Sequence, residues 1–270
     1  MASNLVKVEY TGRIAIITIN NPRKLNALTK DGFYLLARSL KEIQTHDEVI
    51  VTIVTGLGRF FSAGADVSVS RQAEPEVDLL RHGLRESLQH TLFVSRTFYS
   101  HPKILVTALN GPVVGFAAAL VACSDFVYCL PHTYLLTPFS SLGLVSEGAS
   151  SLMLARRLGV AKAQEALIMS RRIPADELLA CGFVNKIYNF EAGKTDQFLE
   201  VVLKELDNRL GAHLNDSSIL SIKHLIAAPF RKELDAQNME EAFLNLERQV
   251  AGIPQKEFEK LRTGQKRHKL

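Results

Sequence analysis

Three short stretches of the chain carry the residue types that chemistry could use. Phe61-Ser62-Ala63-Gly64-Ala65-Asp66 and Asn110-Gly111-Pro112-Val113-Val114-Gly115-Phe116 are glycine turns that follow apolar runs. Leu142-Gly143-Leu144-Val145-Ser146-Glu147-Gly148 carries one carboxylate. Small residues let a ligand approach the main chain, and glycine supplies torsions that other residues resist. Two such turns can aim backbone N–H groups at a single oxygen, each donor worth about 3–4 kcal/mol to a developing oxyanion. A carboxylate beside that oxygen can move a proton, so the set suits enolate chemistry.

Each stretch also has a plainer reading. The first could be an ordinary turn between a strand and a helix. The second could be a plain helix start, although the N–H groups after Gly115 would be unpaired and at the positive dipole end. Glu147 could be a buried general base with a raised pKa. It could equally be a first-turn carboxylate stabilised by the helix that follows.

The elements that must position these stretches follow from periodicity. Val6 to Tyr10 and Ile14 to Ile19 are β-branched runs around Thr11-Gly12 and predict an opening hairpin. Thr29 caps a helix running to about Gln44, with Phe33, Leu36, Leu40 and Ile43 at helical spacing. Val49 to Thr55 and Lys103 to Leu109 read as strands buried on both faces. Ser68 to Asp78 is polar and irregular, a candidate mobile loop. Leu79 to Tyr99 reads as an amphipathic helix that buries Leu80, Leu84, Leu88, Leu92 and Val94. Gly115 to Cys123 reads as an alanine-rich buried helix, followed by short strands at 126–130, 134–136 and 184–188. From Ala192 onward only helices are expected, at about 194–210, 216–227, 231–251 and 254–262. This divides the chain into a β/α core over 1–190 and a helical region over 191–270.

Composition sets outer bounds. The chain has 270 residues, 47% hydrophobic and 22% charged, which suits one large or two small domains with a real core. The net charge of +4 gathers near the C-terminus and does not argue for nucleic acid. Cys123, Cys129 and Cys181 make an odd count with no secretory leader, which points to a reducing compartment without disulfides. The charge-free run from Ile104 to Ser124 is long enough to span a bilayer, but Asn110-Gly111-Pro112 breaks it, so no membrane span is expected. His268-Lys269-Leu270 matches two of three positions of a Ser-Lys-Leu peroxisomal address.

Taken together, the motifs resemble the enoyl-CoA hydratase/isomerase (crotonase) superfamily. The resemblance is carried by Phe-Ser-Ala-Gly-Ala-Asp at 61–66, Asn-Gly-Pro-x-x-Gly at 110–115, Cys123-Ser124-Asp125 and Pro-x-x-x-Leu-Gly at 138–143. Asn21-Pro22 and Asn26-Ala27-Leu28 add to it. It covers about residues 5–190, and the helical region fits in kind. It implies an α/β fold, a spiral of ββα units with a C-terminal helical trimerisation region, assembled as a homotrimer or hexamer. It implies an acyl-CoA thioester bound across the two turns, with the oxyanion held by the backbone N–H groups of Ala65 and Phe116. Ala63, Gly64, Ala65, Asp66, Val67 and Phe116 would contact the substrate.

The departures from the family narrow the chemistry. Hydratases of the family hold water with two glutamates, where this chain has Ala119 and Phe139. Hydration is therefore not expected. Glu147, in the setting Gly-Leu-x-x-Glu-Gly, looks like the single base of fungal peroxisomal Δ3,Δ2-enoyl-CoA isomerases. Dienoyl-CoA isomerases carry a second acid at the Phe139 position. The expectation is conversion of 3-enoyl-CoA to trans-2-enoyl-CoA in β-oxidation, with Glu147 as base. The alternatives are a dienoyl-CoA isomerase, then a hydratase or a non-catalytic scaffold. No metal or cofactor is expected, since coenzyme A is part of the substrate. The resemblance also favours a peroxisomal location, with His268-Lys269-Leu270 read by the import receptor. Arg23, Lys24 and basic residues of the last helices are candidates for the CoA phosphates.

Overall fold

A computed structural model describes residues 5–66 and 78–266. Val67, most of the loop expected over 68–78, and the tripeptide 268–270 lie outside the described residues. The chain opens with β1 (Val6–Thr11) and β2 (Ile14–Ile19), paired antiparallel from Val6–Ile19 to Thr11–Ile14. Gly12, at φ 56°, makes the hairpin turn. Helix α1 (Lys30–Ile43) begins where expected, with the Thr29 side chain accepting from the Gly32 N–H at 3.2 Å. Strand β3 (Val51–Gly56) and, after the helices α2 (Leu79–Gly83) and α3 (Gln89–Tyr99), strand β4 (Ile104–Leu109) are buried along their whole length.

Then come β5 (Val113–Val114), α4 (Phe116–Val121), β6 (Phe126–Cys129) and β7 (Tyr134–Leu136). After them follow α5 (Ser150–Leu158), α6 (Val160–Leu167), β8 (Ile173–Pro174), α7 (Ala175–Ala180) and β9 (Lys186–Ile187). The order β1-β2-β3-β4-β6-β9 forms one sheet, parallel from β2 onward. The short strands β5, β7 and β8 form a second sheet. Beyond Ile187 the described chain is helical: α8 (Thr195–Leu210), α9 (Asp216–Ala227), α10 (Arg231–Val250) and α11 (Ile253–Arg262).

Strand alternation divides the core in two. Ala15, Ile17, Ile19, Leu105 and Leu109 face α1, α3 and α4. Ile16, Ile53, Ile104, Val106 and Tyr128 face Phe198, Val202 and Leu206 of α8. The first helix of the C-terminal region thus covers the second face of the sheet, which is why the strands read as continuous apolar runs.

One expectation fails in detail. Val94 is buried as expected, but Leu80 and Leu84 are exposed, and Phe98 and Tyr99 carry the burial further along this stretch. A π-helical turn at Leu84–Leu88 separates α2 from α3 and rotates the face that a straight helix would bury. Gly83, not a leucine, makes the close approach there: a Cβ on it would collide with Leu246 Cδ1 on α10. The three cysteines are free, and burial pushes the thiols of Cys123 and Cys129 up to about 12. Among the described residues no helix is long and apolar enough to cross a membrane.

Candidate active site

The two glycine turns meet. Ser62 pairs with Val113, and Leu28 with Ala65, in isolated parallel bridges. The Val114 N–H donates to Ser62 O at 3.0 Å. Gly64, at φ 84°, lies so close to the second turn that a Cβ would sit 2.7 Å from Val114 O. Gly115, at φ 62° and ψ −132°, then turns the chain into α4 with a torsion that side-chain-bearing residues rarely adopt.

Three buried polar side chains hold this geometry, each 0% exposed. The amide of Asn110 accepts from the Gly56 N–H (3.0 Å) and donates to Gly58 O (2.7 Å). That of Asn26 donates to Phe60 O (2.7 Å) and Leu57 O (3.0 Å). The Ser62 hydroxyl donates to Asn26 O (2.8 Å) and accepts from the Gly64 N–H (3.1 Å). Loop backbone that has no ladder partner is satisfied by side chains instead, as burial demands.

What these contacts leave over is chemically useful. The N–H groups of Ala63, Gly64 and Asp66 are all spent on protein acceptors. Among the described residues, no acceptor faces the N–H of Ala65 or that of Phe116. Ala65 is exposed, and Phe116 is the first residue of α4. At the lip of the first turn, Asp66 accepts from Lys24 Nζ at 2.8 Å.

Glu147 is half-buried. The residue after it, Gly148, lies against the second turn: a Cβ there would be 2.9 Å from Phe116 Cε2 and 3.4 Å from Ala119 Cβ. Gly148 (φ 77°) and Ala149 (φ 60°) are both left-handed and lead directly into α5. Ala119 is 0% exposed and Phe139 2% exposed, so the two positions that carry acids in hydratases are buried apolar ones.

No motif in the chain marks what holds the acid-bearing loop. Asn245 of α10 accepts from the Val145 N–H (3.1 Å) and donates to Ser146 O (2.8 Å) and Val145 O (3.3 Å). Arg248 Nε donates to Gly143 O at 2.6 Å. Glu241 accepts from the Ser151 N–H (2.8 Å) and hydroxyl (2.5 Å); burial pushes its carboxyl up, and these bonds partly oppose the shift. The only signal was a polar stripe at helical spacing, Glu241, Asn245 and Arg248, on a helix that reads as solvated.

Among the described residues, two cavities can be placed against this geometry. One of about 300 Å³ is lined by Phe126, Tyr128, Lys186, Glu205 and Arg209, on the α8 side of the sheet. The other, about 10 Å³ between Phe33, Phe61, Ala117 and Leu120, has barely the room one water needs. Among the described residues no cluster of three or more His, Cys, Asp or Glu side chains could hold a metal ion.

The fold recurs in solved proteins. An enoyl-CoA hydratase/isomerase from Pseudoalteromonas atlantica superposes with a TM-score of 0.82 at 23% identity, over 98% of this chain and 100% of that one. A family model described as Enoyl-CoA hydratase/isomerase matches residues 9–267, and the chain belongs to that family. Within it, a Pyricularia oryzae protein named Delta(3,5)-Delta(2,4)-dienoyl-CoA isomerase is 53% identical over 99% of this chain and 100% of its own length. A Saccharomyces cerevisiae protein named 3,2-trans-enoyl-CoA isomerase is 32% identical over 98% of this chain and 97% of its own length. A Mus musculus protein named enoyl-CoA delta isomerase 3, peroxisomal, is 29% identical over 92% of this chain and 73% of its own length.

Proposed function

We propose that this chain is an acyl-CoA double-bond isomerase that converts 3-enoyl-CoA to trans-2-enoyl-CoA, with Glu147 as the sole proton carrier. The observation that carries the reading is the pairing of one half-buried acid beside the Phe116 turn with buried Ala119 and Phe139 where water-holding acids would stand. The Glu147 carboxylate takes a proton from C2 of the bound thioester. The electrons of that C–H bond form a C1–C2 double bond while the carbonyl π electrons move onto the thioester oxygen, giving a dienolate that still holds the C3–C4 double bond. The N–H groups of Ala65 and Phe116 stabilise its oxyanion. Protonated Glu147 returns the proton to C4, and the double bond moves from C3–C4 to C2–C3. C2 and C4 are separated by one allylic unit, so one carboxylate reaches both. Apolar Phe139 keeps water from competing for the intermediate.

A second reading has its own support. The Pyricularia oryzae relative, at 53% identity, is named for the 3,5- to 2,4-dienoyl-CoA conversion. That shift carries a proton across two conjugated units, a longer reach for a lone acid. We expect activity on 3-enoyl-CoA to exceed that on 3,5-dienoyl-CoA, and a reversed preference in kcat/KM would install the second reading. Glu147→Gln, with folding checked by circular dichroism, is expected to lower kcat by about 10²–10⁴-fold. Isomerisation within about threefold of wild type would remove Glu147 from the mechanism.

The compartment in the mouse relative's name supports a peroxisomal location. A fluorescent protein fused to the N-terminus should co-localise with a peroxisomal marker, and diffuse cytosolic signal would reject this reading. Assembly as a homotrimer or hexamer is part of the same proposal, and sedimentation of the purified protein measures it.

A further inference from the structure

We infer that Asn245 is a positioning residue for Glu147, one that sets the rate of proton transfer rather than the affinity for acyl-CoA. The inference rests on the reading of Glu147 as the base. Residues 143–149 form neither helix nor strand, between a 3₁₀ turn at Ser140–Leu142 and α5. Positive φ at Gly143 (71°), Gly148 (77°) and Ala149 (60°) bends the segment at both ends. After Leu144, whose N–H donates to Phe139 O at 2.9 Å, the main-chain groups of Val145 and Ser146 find their partner on α10.

Asn245 supplies it with both ends of one amide. Its Oδ1 accepts from the Val145 N–H, and its Nδ2 donates to Ser146 O at 2.8 Å. The Ser146 carbonyl and the Glu147 nitrogen belong to one peptide group, which is planar. Fixing that oxygen therefore fixes the plane from which the Glu147 side chain departs. Asn245 is 5% exposed, so water does not compete for these bonds. Glu241 and Arg248, about one turn away on either side, hold Ser151 and Gly143. Their bonds anchor the ends of the segment, while that of Asn245 adjoins the acid itself.

The test is a cycle of Asn245→Ala in wild-type and Glu147→Gln backgrounds, assayed with a 3-enoyl-CoA substrate. Octanoyl-CoA affinity is measured separately by calorimetry. Displacing a reacting group by roughly 1 Å costs about 10²-fold, so kcat should fall by about that factor. KM and the octanoyl-CoA Kd should stay within about twofold, since binding groups are untouched. In the Glu147→Gln background, Asn245→Ala should change the residual rate by less than about threefold, because the residue acts through the acid.

Three results overturn the inference: a wild-type kcat in Asn245→Ala, a loss in KM or Kd instead of kcat, or the same loss in both backgrounds. If Glu147→Gln is inactive and Asn245→Ala is not impaired, only this inference fails. If Glu147→Gln keeps its rate, the base reading fails and takes this inference with it. Should Asn245→Ala not fold, Asn245→Asp keeps the volume and the acceptor for the Val145 N–H but sets an oxygen against Ser146 O. The same kcat loss is expected there, and a folded Asn245→Asp with wild-type kcat overturns the inference.

Discussion

The two glycine turns and the acid-bearing loop are built in opposite ways. The turns around Gly64 and Gly115 are held by residues of the N-terminal motifs, Asn26, Ser62 and Asn110, all fully buried. The loop around Glu147 is held from outside, by Asn245 and Arg248 on a helix about a hundred residues further along the chain. A backbone oxyanion site depends on main-chain geometry, and buried amides and glycine torsions are enough to specify that. A side-chain acid also needs its whole segment oriented against a separate element. Helix α10 does this with a polar stripe set beside its buried Leu234, Ala242 and Leu246.

The contrast can be broken at either end. The largest effect expected is that of Glu147→Gln, described above. Next is Gly64→Ala. The new Cβ would meet Val114 O at 2.7 Å on a backbone at φ 84°. The turns must separate, so kcat should fall by about 10²-fold as one donor is displaced. Stability should drop by about 1–3 kcal/mol, read by urea unfolding. A wild-type kcat in Gly64→Ala would show that the donors are not where the turns meet.

A smaller effect concerns the sheet that both regions share. His101, just before β4, bonds Thr52 Oγ1 of β3 through Nε2 at 2.9 Å. Burial first, then the nearby Lys223, Lys103 and Lys41, lowers its pKa to about 3. The folded form therefore resists a proton that the unfolded chain accepts near its ordinary value of about 6.5. Stability that is complete above that value should be lost as pH falls toward 3. Acid unfolding curves should flatten between these limits in His101→Gln, and identical curves would reject the assignment.

The smallest effect is at the lip of the first turn. The Lys24 side chain is 55% exposed where it meets Asp66. Lys24→Ala should cost less than about 1 kcal/mol in thermal unfolding, because exposed pairs are weak. Its kcat should stay at the wild-type level. A large loss of kcat would move Lys24 from the scaffold of the turn into the chemistry.

Much of this architecture was legible in the chain. The Thr29 cap, the spacing of Phe33, Leu36, Leu40 and Ile43, and the apolar runs of β3 and β4 were read at nearly their observed bounds. Glycine at 64 and 115 marked turns because torsion there is a property of single residues. The helix over 79–99 was harder. Leu80, Leu84 and Leu88 fit an unbroken helical period, and a π turn has no signature in that spacing. The bond from Asn245 to Ser146 O was not legible either, since an asparagine on a polar helix reads as solvated.

Sequence by itself determined the strands of the large sheet and most of the helices, where the chain turns, and that a single acid stands in the third motif. These depend on torsion preference and on periodic burial, both of which act within a few residues. Only the tertiary structure decided that the two turns touch, that Gly148 rests against Phe116, and that α10 orients the segment bearing Glu147. Those contacts join residues far apart in the chain. Their geometry comes from packing the whole spiral at once, and no local pattern encodes it.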